Sequence, residues 1–129
     1  MIEKRILVAD RVRRPPGEGF SWVDRRFLRE YAAKLTGDAI LLYFFLAAVS
    51  DKEGLSFYSD TSTATRLRMR EEHVVAARED LLTHDLIAFD PPLTQVLSLP
   101  RGRVQRRGLH ALEALLRAVD EGERKGGTP

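Results

Sequence analysis

The sequence predicts an α+β domain, mostly helical, with an N-terminal strand or hairpin extension, a C-terminal β-hairpin and a final helix. Three stretches carry that prediction. Residues 39–49, AILLYFFLAAV, are apolar all round, too short for a bilayer span and suited to a helix enclosed by other elements. Residues 59–84 hold two short helical patterns in succession. LIAFD and TQVLSLP, separated by Pro91 and Pro92, read as two strands joined by a hairpin turn. A chain of 129 residues, 43% hydrophobic and 31% charged, has the material for one core.

Taken in order, Arg5 to Val12 is rich in β-branched and aliphatic residues and reads as a strand. Arg13, Arg14, Pro15, Pro16, Gly17 and Gly19 stop it in a turn, and Phe20 to Val23 offers a second short strand to pair back on the first. From Asp24, an N-cap, the positions Phe27, Leu28, Tyr31, Ala32 and Leu35 keep helical spacing. Thr36 caps the apolar helix, with Asp38 at the positive end of its dipole, and Ser50 to Gly54 ends it. Leu55 to Tyr58 is a brief strand or an extended lead. Ser59 or Asp60 caps a short helix reaching about Leu67, with Ala64 and Leu67 inward. A second runs from about Glu71 to His84, with Val74, Ala77, Leu81 and Leu82 turned to the core. Asp85 stands where a helix stops in the left-handed conformation, which Asp tolerates better than most residues. After the hairpin come the strip RGRVQRR and an amphipathic helix carrying Leu109, Leu112, Leu115, Leu116 and Val119. One domain is expected over 1–121, comprising an extension 1–35, a core 36–99 and a basic strip with the last helix 100–121, followed by a flexible tail 122–129.

The formal charge of +2 conceals segregation: nine cations against five anions over 1–34, five against ten over 35–98, and seven against four over 99–129. The flanks attract a polyanion that the middle repels. With no cysteine there are no disulfides, thiolate nucleophiles or thiolate zinc sites. Charges interrupt what would be a signal sequence's apolar core, so the expected location is cytoplasmic, with no membrane association. No Gly-rich phosphate loop, nucleophile elbow or His-Glu helix motif occurs, and neighbours such as Glu71-Glu72 or Glu79-Asp80 diverge by about 100° on a helix. An enzyme is therefore not expected. His73, His84 and His110 have no metal-ligand spacing, so neither a metal nor another cofactor is expected.

Ser59, Ala64, Leu67, Val74, Leu81, Leu86 and Ile87, set in the order helix, helix, turn, helix and hairpin, resemble the winged helix-turn-helix domain of bacterial regulators and plasmid replication initiators. The resemblance covers about Thr36 to Leu99. Where that family has Gly-Val-Ser between the two helices, this chain has Arg68-Met69-Arg70. The resemblance implies double-stranded DNA as partner, and a role in transcription regulation or as the initiator-like module of a mobile element. It also implies that the helix from Glu71 enters the major groove while an Asp90 to Gln95 wing touches the backbone.

The nucleic-acid candidates are thus Arg66, Arg68, Arg70, Glu71, Glu72, His73 and Arg78 on the helical pair, and Thr94 and Gln95 on the wing. Arg101, Arg103, Arg106 and Arg107 of the strip join them independently of any resemblance, because guanidinium forks suit phosphate oxygens. Glu71 and Glu72 either accept from base amino groups or stabilise the helix start through its dipole. His73 is read as a solvated or capping imidazole before a base reader. The strip is equally a solvated linker, and Trp22 with Phe20 is core before it is a stacking platform. The alternative is a protein-interaction domain without DNA binding, in which Leu109, Leu112, Leu116 and Val119 form a homodimer seam or fold back on their own domain.

Overall fold

The computed structural model describes residues 2–101 and 116–117. Its centre is α1 (Gly37–Val49), begun as expected by Thr36, whose hydroxyl accepts from the Ala39 amide at 3.1 Å. At its other end the Ser50 hydroxyl donates to the Ala47 carbonyl at 3.0 Å, satisfying one of the orphan acceptors of the last turn. Ala39, Leu42, Tyr43, Leu46 and Ala47 form the buried face. Among the described residues, however, the helix is not fully enclosed. Leu41 and Phe44 lie off that face and are 41% and 43% exposed, Phe44 meeting the Phe27 ring edge-on.

The helical pair follows the expectation closely. Ser59 caps α2 (Asp60–Leu67) by accepting from the Ser62 amide at 3.0 Å, and Ala64 and Leu67 turn inward with Thr63. In α3 (Glu71–Thr83) the buried residues are Val74, Ala77 and Leu81, the last two in one cluster with the buried face of α1. Asp85 ends α3 in the left-handed conformation at φ 59°, and the Leu86 amide reaches back to the Leu81 carbonyl at 3.1 Å.

Three antiparallel strands, β1 (Leu55–Ser56), β2 (Ile87–Asp90) and β3 (Leu93–Val96), form one sheet in the order β1-β3-β2. Asp90 pairs with Leu93, so the hairpin turns on Pro91 and Pro92 alone, joined by a cis peptide bond. Gly54, at φ 86°, lies so close to β3 that a Cβ there would stand 2.5 Å from the Val96 carbonyl oxygen.

The N-terminal extension departs from expectation. Arg5 to Val12 contains a 3-10 turn, Ala9–Arg11, and pairs with no strand among the described residues; nor does Phe20 to Val23. β-propensity reports fit to a half-buried pleated surface, and the arm meets no such surface here. Asp24 accepts from the Arg26 amide at 2.9 Å, but the element that follows is a π-helical turn, Phe27–Tyr31, whose N-cap position is Arg26, and then a 3-10 turn, Ala32–Lys34. Phe27 is fully buried and stacks on Tyr43 with ring centroids 3.9 Å apart, whereas Leu28, expected inward, is 72% exposed. The Arg26 guanidinium and Tyr31 hydroxyl both donate to the Pro100 carbonyl, tying the extension to the segment after β3. Leu116 is helical and exposed; the rest of the expected last helix and the tail lie outside the described residues.

Candidate nucleic-acid interface

The turn between α2 and α3 concentrates positive charge. Arg68 closes α2 at φ 57° and ψ 43°, the left-handed conformation that glycine adopts without strain. The next amide, Met69, bonds the Ala64 carbonyl at 2.9 Å, and the Met69 side chain packs on the core. Arg68 and Arg70, on either side of that anchor, are driven outward and exposed. Arg66, one turn earlier, is also exposed, its guanidinium 5.3 Å from the Tyr58 ring centroid. Three arginines within five residues thereby crown the end of α2 and the start of α3.

The two glutamates have different surroundings. Glu71 accepts a 2.5 Å hydrogen bond from the Thr61 hydroxyl, clipping the start of α3 to the first turn of α2. Glu72 is exposed and lies 3.5 Å from Arg70, a contact that solvent largely screens. Both sit in the first turn of α3, where a carboxylate favours the helix dipole. His73 is exposed on the same turn.

Arg78 lies elsewhere. Its side chain is 12% exposed, ion-paired with Asp60 and stacked 4.1 Å from the Phe89 ring centroid, so it joins α3 to the start of α2 and to β2. Occupied in this way, it stands apart from the exposed cluster at the turn. On the hairpin, Thr94 is 9% exposed and pairs with Ser56 and Phe89, while Gln95 faces solvent. The Asp90 to Gln95 segment contains no cation. Arg101 is exposed beside the Pro100 anchor; Arg103, Arg106 and Arg107 lie outside the described residues, as do Leu109, Leu112 and Val119.

Glu72, Val75, Ala76 and Glu79 form a face that sequence reasoning does not single out, although their helical spacing signals one. All four are exposed, so the outward side of α3 is apolar at its middle and acidic at both ends. The site can therefore grip phosphate at the turn, where the arginines cluster, more strongly than along α3. A groove of about 550 Å³ between the arm and α1, lined by Phe20, Trp22, Tyr43 and Leu99 among others, is a separate feature. Burial holds the Tyr43 phenol above its ordinary pKa, with the Asp24 charge adding to the effect. Among the described residues no group of three or more His, Asp or Glu is placed to hold a metal ion, and no helix is long and apolar enough to cross a membrane. No protein family, curated protein or solved structure matches the chain.

Proposed function

We propose that this chain is a winged-helix protein that binds double-stranded DNA in the cytoplasm, as a transcription regulator or as the initiator-like module of a mobile element. The observation that carries the reading is the element order α1-β1-α2-α3-β2-β3, with its β1-β3-β2 sheet, presenting exposed Arg66, Arg68 and Arg70 at the turn that leads into α3. In this reading the arginines fix the register on backbone phosphates, and the first turn of α3, with His73 and Glu72, faces the major groove. Glu72 is the one carboxylate there that is free of α2, and it is a candidate acceptor for a cytosine amino group. The strip at 101–107 adds phosphate contacts from outside the helical pair.

The test is fluorescence anisotropy with random-sequence duplex at two salt concentrations. Replacing Arg66, Arg68 and Arg70 by Ala should weaken binding and lower the log–log salt slope by about 0.9 for each phosphate that is no longer neutralised. Undetectable binding of the unaltered chain at low salt would end this reading. The outward face of α3 favours a second reading, in which Glu72, Val75, Ala76 and Glu79 contact another protein. Glu72→Lys with Glu79→Lys separates the two: a modest gain in DNA affinity fits an existing DNA surface, whereas DNA binding that appears only in this variant fits a surface tuned against DNA.

A further inference from the structure

The N-terminal arm is apolar and basic, yet among the described residues its aliphatic positions are not buried against the core. Every residue from 2 to 23 is exposed, including Ile2 at 93%, Ile6 at 69%, Leu7 at 82%, Val8 at 54% and Val12 at 43%. Among the described residues its backbone hydrogen bonds only close its own turns, from Arg11 to Val8 and from Gly19 to Pro16. Its tether to the core is the Ser21 hydroxyl donating to the Ala47 carbonyl. The arm thus has the composition of a strand and lacks a strand's partner.

The sheet has the complementary deficiency. β2 is bonded to β3 on one side, and its other edge meets no strand among the described residues. An edge of this kind is a template for an extended segment, and main-chain pairing with aliphatic side chains on alternate faces is a recurring form of recognition. Length and charge agree with such a pairing. Arg5 to Val8 spans four residues, as β2 does. Residues 1–23 carry five cations against three anions, while residues 35–98 carry five against ten, with Asp90 exposed on β2 itself.

We infer that residues 5–8 of the arm add as a strand to the free edge of β2 in a second copy of this chain. In a two-fold dimer each arm would be donated to the other copy, and the first contact would raise the effective concentration of the second. The aliphatic residues favour this occupant over DNA, since Ile6, Leu7 and Val8 give nothing to a phosphate backbone. The proposal does not depend on DNA binding.

The absence of native cysteine makes the contact directly testable. Ile6→Cys and Ala88→Cys variants of the 129-residue chain are mixed and treated with a short bismaleimide. A cross-link between the two different chains is expected, and Lys52→Cys in place of Ala88→Cys should give none. In parallel, sedimentation of the unaltered chain should show a dimer, and Ile6→Asp with Val8→Asp should yield a monomer with unchanged circular dichroism and thermal unfolding. A monomeric unaltered chain, or a dimer that survives the aspartates, would overturn the proposal. If the unaltered chain is monomeric and the aspartates weaken duplex binding, the arm is a DNA contact instead.

Discussion

Arg68 illustrates how one residue serves two ends that pull apart. Its left-handed backbone costs a non-glycine residue about 1–2 kcal/mol, yet the same position projects a cation beside the start of α3. Arg68→Gly should therefore raise stability by about 1 kcal/mol in urea unfolding while reducing the salt slope of DNA binding. Arg78 should behave in the opposite way. Its removal leaves Asp60 without its partner and Phe89 without its cover, so Arg78→Met should cost about 1–3 kcal/mol and leave the salt slope unchanged. A slope that falls with stability intact would return Arg78 to the DNA surface. The contrast marks what could be read residue by residue. The Thr36 and Ser59 hydroxyls cap, and the backbone at Asp85 turns, within three to five residues, so those local roles were legible. Arg78 meets Asp60 eighteen positions earlier and Phe89 on the next strand, and Glu71 meets Thr61 across the turn. Such partners are decided by packing, which no local pattern encodes.

At the level of elements, α1 and α2 were legible from their capping hydroxyls and apolar positions, α3 from its apolar face and its stop at Asp85, and the hairpin because prolines separate two aliphatic runs. The extension was not. Its β-branched letters predicted a strand, but a strand needs a neighbour, and the described residues of its own chain supply none. The apolar letters of α1 likewise predicted enclosure, whereas Leu41 and Phe44 face outward. The close approach at Gly54 was equally silent in sequence, since nothing local announces that the Val96 amide will bond its carbonyl at 2.8 Å. A β-carbon at Gly54 would strike main-chain oxygen, which cannot rotate away, and the positive φ adds strain. Gly54→Ala should therefore destabilise the domain by about 3 kcal/mol, read as a lowered urea midpoint with unchanged m-value. The Thr36→Ala change tests the other end of the fold. Losing one cap bond to Ala39 should cost about 1 kcal/mol.

Across the whole molecule, charge is arranged so that shape and attraction reside in different segments. The core at 35–98 has twice as many anions as cations, and its outward α3 face is acidic, so a duplex approaching α3 alone meets repulsion. Arg66, Arg68 and Arg70 oppose this locally, and Arg101, Arg103, Arg106 and Arg107 oppose it from the segment that follows the Pro100 anchor. Because a bound phosphate releases counterions, the two sets can be weighed by salt dependence without knowing the DNA sequence. If all four strip arginines touch phosphate, replacing them by Ala should lower the log–log slope by about 3.6, against about 2.7 for the three at the turn. Thermal unfolding of the strip variant, followed beside the slope, separates lost phosphate contacts from lost folding. A strip variant with the full slope would assign the phosphate contacts to the turn. A turn variant with the full slope, beside a strip variant with almost none, would instead make the flank the binding segment and the helical pair its support.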